Sequence, residues 1–309
     1  MKLNKPKFWE TGHWFIPILL LPFSLIVLFL LFLKNKFTKP KKFNVSIICV
    51  GNIYIGGTGK TPTSILLANE LMNSKKNPVI LKKFYKNQID EHGLIRNNFQ
   101  NLILNKNRDD GILEAKKRNH DIIIMDDGFQ DYRIKKDLNI LCFNQNQLIG
   151  NGFILPAGPL REPLKSLQKA QVILINGQKD IKFENKLLRI NQDLEVFYSS
   201  YVPINVNKFT NKNFIAVTGI GNPINFFDLL EKNKITIKKK LIFPDHYEFS
   251  KTDIKKIINL SKENNCEIIM TEKDYFKTNM PKNEIFQYLK VSLEIDDKEK
   301  LIKAILKKI

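Results

Sequence analysis

The chain has 309 residues, 43% of them hydrophobic, enough for a full core and for two domains plus an appendage, which excludes a disordered protein. Its formal charge of +19 comes almost wholly from lysine, 44 against 6 arginines, spread along the whole sequence. Dispersed lysine argues against base readout in nucleic acid and leaves part of the charge to meet an anionic membrane or a phosphorylated substrate.

From Trp14 to Leu33 there are twenty residues without a charge, the length of helix that spans a bilayer core. Trp9 and Trp14 precede it as interfacial anchors, and Lys34, Lys36, Lys39, Lys41 and Lys42 follow as a cytoplasmic basic flank. Residues 1–42 therefore read as a membrane helix with its flank, placing the soluble part on the cytoplasmic face of the inner membrane. A cleaved signal peptide lacks its small-residue site here, a buried core helix is the other alternative, and Pro17 and Pro22 leave open a kinked or half-inserted helix.

Val45 to Val50 is a β-branched apolar run, followed by Gly51, Gly56, Gly57, Gly59, Lys60 and Thr61 and then by Ile65, Leu66, Leu67 and Leu71 at helical spacing. Strand, glycine loop and helix in that order form a phosphate-binding loop. Gly56, Gly57, Thr58 and Gly59 present backbone N–H groups, Lys60 reaches the β- and γ-phosphates, and Thr61 holds Mg²⁺. The spacing is a variant, because Tyr54 stands where the first glycine is expected. A glycine-rich turn with a chance Lys-Thr pair is the plain alternative.

A short strand from Pro78 to Leu81 leads to Lys82-Lys83-Phe84-Tyr85 and a polar loop with Asp90, Glu91 and His92, where a solvated helix start is the plain reading. Asp121-Ile-Ile-Ile-Met-Asp126-Asp127-Gly-Phe-Gln130 has the Walker B pattern and puts Asp126 at a strand end where it can bind nucleotide-associated Mg²⁺; a buried strand with an Asp-Gly turn is its alternative. Strands Leu138 to Phe143 and Val172 to Ile175 flank a proline- and glycine-rich loop, residues 150–163, functional or structural, whose only charges are Arg161 and Glu162. Strands alternating with helices imply an α/β fold, a mostly parallel sheet with helices on both faces over residues 43–200.

Near Tyr201 the pattern changes, and residues 201–309 read as a second, smaller α/β domain. It holds strand Phe214 to Val217, Thr218-Gly-Ile-Gly-Asn-Pro223, Phe243-Pro-Asp-His246, a capping box at Ser250 to Asp253, strand Glu267 to Met270, Thr271-Glu-Lys-Asp274 and a closing helix. The cysteines Cys49, Cys142 and Cys266 and histidines His13, His92, His120 and His246 lack disulfide or zinc spacing, so reduced, buried thiols and no metal beyond Mg²⁺ are expected.

Taken together, the glycine loop with Pro62, Asp126-Asp127-Gly128-Phe129-Gln130, Leu155-Pro-Ala-Gly-Pro-Leu-Arg-Glu-Pro163, Gly219-Ile-Gly-Asn-Pro223, Phe243-Pro-Asp-His246 and Thr271-Glu-Lys-Asp274 resemble the tetraacyldisaccharide 4′-kinase family. The resemblance implies a P-loop NTPase-like fold and transfer of the ATP γ-phosphoryl to the 4′-hydroxyl of the lipid A disaccharide precursor. It also implies Asp126, Asp127 and Glu162 as metal contacts beside Thr61, and Asp90 with His246 as the catalytic pair. With Asp90 and His246 in different domains, the two domains would close on ATP. Lys82-Lys83-Phe84-Tyr85 departs from the family's Ser-Arg-Gly-Tyr, Asp131 and Tyr247 stand at usual histidines, and Ile89 replaces a glycine. No nucleic acid or protein partner is implied. A membrane-tethered nucleotide switch is the rival, but Thr271-Glu-Lys-Asp274 carries its lysine one place too late for a guanine-reading motif.

Overall fold

The computed structural model describes residues 6–10, 14–85, 88–245, 247–276 and 284–309. A 3-10 turn at Lys7–Trp9 precedes the first long helix, α1 (Phe15–Phe37), which is followed by β1 (Ser46–Gly51), α2 (Lys60–Asn73), β2 (Pro78–Lys83), α3 (Ile89–Asn98), β3 (Leu102–Asn105), α4 (Arg108–Lys117) and β4 (Ile122–Asp126). Next come β5 (Leu138–Asn144), β6 (Val172–Asn176), α5 (Ile181–Leu188) and β7 (Glu195–Pro203). Then follow β8 (Asn213–Thr218), α6 (Pro223–Lys232), β9 (Thr236–Ile242), α7 (Lys251–Glu263), β10 (Glu267–Thr271), α8 (Glu272–Tyr275), β11 (Phe286–Leu289), β12 (Val291–Ile295) and α9 (Lys298–Leu306).

Eight strands form one sheet in the order β12-β7-β6-β5-β1-β4-β2-β3, and four form a second in the order β11-β10-β8-β9. β1 pairs in parallel with β4 and β5, and β2 in parallel with β4 and β3. β4 is buried at all of its positions, so helices must cover both faces, as an all-parallel core requires. Val79 and Leu81 of β2 pack with Ile112 and Ala115 of α4, while α2 packs on β1, β2 and β4 and buries Leu67, Ala68 and Leu71. Asp109 and Asp110 in the first turn of α4 and Lys116 and Lys117 in its last complement the helix dipole. Ser250 and Asp253 close the capping box of α7 reciprocally.

The chain folds as two compact units: Lys5–Phe84, Asn101–Ser200 and Glu294–Ile309 make the larger, and Tyr85–Gln100 with Tyr201–Leu293 the smaller. Two segments depart from the sequence boundaries. Residues 85–100, expected within 43–200, fold with the smaller unit because α3 packs on α8, with Asn98 donating to Glu272 at 3.2 Å. The C-terminal residues return to the larger unit, where α9 packs on α2 and Lys298 pairs with Glu70 at 2.8 Å. Both contacts join positions too distant in sequence for periodicity to reveal.

Helix α1 belongs to the larger unit rather than standing apart. Pro17 and Ser24 are buried, and Leu20, Leu21, Val27, Leu28 and Leu31 are half-buried on the same stripe. The Ser24 hydroxyl donates to the Ile154 carbonyl at 2.9 Å and accepts the Ala157 N–H at 3.1 Å. Ahead of the helix, Trp9 Nε1 donates to the Pro156 carbonyl at 3.1 Å; at its far end Lys34 donates to the Gln130 carbonyl at 3.2 Å and Lys169 to the Asn35 side chain at 2.8 Å. A helix held at start, middle and end by one folded unit lies along its surface. By length and apolar composition the helix still matches a bilayer span, and only a small share of it is buried. Phe15, Leu19, Phe23, Ile26, Phe29, Leu30 and Phe32 remain exposed on the opposite face.

Candidate active site

β1 ends in Gly51, and the loop that follows enters α2 at Lys60. Gly56, Gly57 and Gly59 take left-handed backbone with φ of 75°, 61° and 87°, a conformation that costs glycine nothing and turns successive N–H groups inward. At Gly51 the constraint is close approach instead. A Cβ there would lie 2.5 Å from the Cβ of Phe129, so only glycine admits the Asp-Asp-Gly-Phe segment alongside. Tyr54, in place of the expected first glycine, is fully buried and bridges to Leu160 of the proline-rich loop. Asn52 donates to the Thr58 hydroxyl at 2.8 Å and its side-chain carbonyl accepts from Arg161. The variant spacing thus exchanges a turn residue for an anchor to the proline-rich loop.

That loop is zipped onto the phosphate loop by backbone bonds from Ile55 N–H to the Pro159 carbonyl and from Arg161 N–H to the Ile53 carbonyl, at 3.0 and 2.7 Å. Arg161 arrives beside Asp127 and donates to both of its carboxylate oxygens, at 2.8 and 3.4 Å. Lys60 Nζ lies 3.9 Å from the same carboxylate. Asp127 has φ of 58°, unusual for a residue with a Cβ, and is fixed there by its N–H to the Val50 carbonyl and by Arg108 donating to its own carbonyl at 2.6 Å. Burial alone would raise its pKa, but Lys60, Arg161 and Lys82 outweigh burial and hold the carboxyl well below the usual range.

Asp126 is fully buried at the carboxyl end of β4. Its Oδ2 accepts the Thr61 hydroxyl at 2.9 Å and the Lys82 ammonium at 2.6 Å, and its Oδ1 accepts from Ser64 at 3.4 Å. Thr61, the two aspartates and Lys60 therefore come together as read from sequence. Glu162 does not join them in a carboxylate triad: it accepts the Tyr132 hydroxyl at 2.5 Å, and among the described residues no three His, Cys, Asp or Glu side chains are placed to hold a metal. A hydroxyl beside one or two carboxylates still suits Mg²⁺, a hard cation that takes most of its remaining ligands from phosphate and water.

In the smaller unit, Asp90 and Glu91 stand in the first turn of α3. Asp90 is buried rather than solvated, and Lys273 Nζ lies 3.5 Å from its carboxylate, 3.5 Å from Glu91 and 3.4 Å from Asp245. Burial would lower the Lys273 ammonium, but the three carboxylates hold it above its ordinary value and keep it charged. The neighbouring Asp274 accepts from Gly219 N–H at 2.8 Å and from the Thr218 hydroxyl at 3.1 Å, which ties two sequence motifs together. Asp90 therefore shares a unit with Asp245 and Tyr247 instead of facing them from another domain. His246 lies outside the described residues.

Sequence reasoning missed Lys82 and Lys273 as site residues and saw Arg161 only as a charge in its loop. A lysine ending a central strand and an arginine in a proline-rich loop were the available signals.

The tetraacyldisaccharide-1-P 4′-kinase family matches residues 16–309. A tetraacyldisaccharide 4′-kinase of Pelagibacter ubique (strain HTCC1062) is 42% identical over 314 residues, covering 99% of this chain and 98% of that protein. One from Rickettsia akari (strain Hartford) is 35% identical over 325 residues, covering 100% of this chain and 98% of the relative. The crystal structure of "apo" form LpxK from Aquifex aeolicus in complex with ATP superposes with a TM-score of 0.74 at 26% identity, covering 94% of this chain and 99% of that one.

Proposed function

The chain belongs to the tetraacyldisaccharide 4′-kinase family, and on that footing we propose that it transfers the γ-phosphoryl of ATP to the 4′-hydroxyl of tetraacyldisaccharide 1-phosphate at the inner membrane. It is a kinase of lipid A biosynthesis with an alcohol acceptor. The observation that carries the mechanism is the 2.9 Å bond from Thr61 to Asp126 at the mouth of a left-handed glycine loop.

The loop N–H groups and Lys60 bind and orient the β- and γ-phosphates, and the start of α2 adds its dipole. Thr61, Asp126 and Asp127 would hold Mg²⁺, which when bound neutralises phosphate charge. Arg161 fixes Asp127, so its carboxylate keeps one orientation beside the phosphate loop. A sugar hydroxyl is a weak nucleophile, and Asp90 accepts its proton as the phosphorus is attacked. Lys273 pairs with that carboxylate and orients it, and the family resemblance gives His246 as its further partner. The exposed apolar face of α1 lies in the membrane interface and the lysines after it meet anionic headgroups on the cytoplasmic face.

Transfer from γ-labelled ATP to tetraacyldisaccharide 1-phosphate in detergent micelles with Mg²⁺ tests the reading. Labelled lipid from the wild type and none from Asp126→Ala is expected. Absence of labelled lipid from a wild type that binds and slowly hydrolyses nucleotide would favour a membrane-tethered switch instead.

A further inference from the structure

Lys82 is the last buried residue of β2 and stands in register with Asp126 on β4. Its side chain is 4% exposed and its partner 0%, and the two are joined at 2.6 Å. A cross-strand ion pair this dry is a poor stabiliser, because removing two charges from water offsets most of their attraction and an apolar pair of similar size would serve the sheet as well. Its location gives it another meaning. The carboxyl ends of parallel strands are where α/β sheets receive ligands, and Asp126 is the carboxylate that also takes the Thr61 hydroxyl at the first turn of α2. Lys82, Lys60 and Arg161 together set three basic side chains against two carboxylates, Asp126 and Asp127, so by formal charge this group is net positive by one before any metal binds.

Resting on the kinase reading, we propose that Lys82 is a built-in cation of the nucleotide site, neutralising Asp126 and supplying positive charge to the triphosphate, so that nucleotide binding depends only weakly on a divalent ion. Without Lys82, Lys60 and Arg161 would only balance the two carboxylates and leave Asp126 unpaired, so that a tetra-anionic nucleotide would gain little unless Mg²⁺ came with it. With Lys82 buried beside Asp126, that carboxylate is neutralised from within the protein at any metal concentration. Lys60 remains the direct phosphate contact and Lys82 acts through the charge of Asp126.

The test is ATP binding by calorimetry to the full chain in detergent, in excess Mg²⁺ and in excess EDTA, for wild type, Lys82→Met and Lys82→Arg. The wild type is expected to lose at most about tenfold in affinity on going from Mg²⁺ to EDTA, and Lys82→Met about a further tenfold in EDTA, with a smaller change in Mg²⁺. Lys82→Arg, which keeps the charge, restores EDTA binding and separates charge from packing. An EDTA-to-Mg²⁺ affinity ratio unchanged in Lys82→Met, or a loss confined to the Mg²⁺ arm, overturns the role of Lys82 and leaves the kinase reading standing. A wild type that binds no ATP in either arm overturns both.

Discussion

Arg161 grips Asp127 through two hydrogen bonds, at 2.8 and 3.4 Å, and thereby couples the proline-rich loop to the paired carboxylates at the end of β4. The same guanidinium reaches the side-chain carbonyl of Asn52, whose amide is held in turn by the Thr58 hydroxyl. One planar cation thus fixes both walls of the phosphate loop, a geometry that lysine cannot copy.

Replacing Arg161 by lysine is therefore expected to lower phosphoryl transfer by about 10²-fold while the fold persists, since the point charge survives and the fork does not. Transfer kinetics beside a thermal melt would check this. Wild-type rates from Arg161→Lys would mean that charge alone is needed.

Asp90→Asn is expected to keep ATP affinity and lose about 10²- to 10⁴-fold in transfer, the span a positioned proton acceptor supplies. Lys60→Ala should do the reverse first, weakening nucleotide binding itself. Titration with ATP and single-turnover transfer on both variants separate the roles, and equal turnover by Asp90→Asn and wild type would remove Asp90 from the reaction.

Lys273→Met leaves Asp90, Glu91 and Asp245 facing one another without their shared cation. Loss of one partner from a largely buried charge cluster is expected to cost about 3 kcal/mol of stability. Mutual repulsion should also move the acid limb of the pH–rate profile upward, because the carboxylates then hold their protons more tightly. Denaturant melts and a pH–kcat profile give the two readouts. An unmoved acid limb would limit Lys273 to a packing role.

Asp131 supplies a pH test of the larger unit. Burial works against its ionisation, yet Arg133 and Arg108, at 3.0 and 3.3 Å, hold its carboxyl down at about 2. A carboxyl depressed in the folded state adds stability above its unfolded value of about 4, and that stability is lost as pH falls through the folded value. Asp131→Asn should therefore be about 1 kcal/mol less stable than wild type at neutral pH, after allowing for screening, with the difference vanishing toward about pH 2. Urea melts across that range decide it; a constant gap would point to shape rather than charge.

Placing lysines at Phe23, Ile26 and Leu30, all on the exposed face of α1, is expected to abolish flotation with anionic phospholipid vesicles and leave ATP binding intact. Undiminished flotation would show that the basic flank alone holds the protein to the lipid.

The strand, glycine loop and helix, the carboxylates at the end of β4 and the capped helix after Ser250 were all legible in the order of residues, because each is written in local spacing and needs only backbone preference and periodicity. The apolar helix was legible too, though not its posture. Relations between distant positions arose only on folding. Ser24 docks α1 on the proline-rich loop, Lys82 meets Asp126 across neighbouring strands, and Lys273 gathers carboxylates from α3 and from the segment after β9. Tyr54 could be seen only as an irregularity of the phosphate loop until its burial against Leu160 gave it a purpose. Ion pairs and docked faces have no period in the chain: their free energy depends on burial and distance, and both come into existence only when the sheet is assembled.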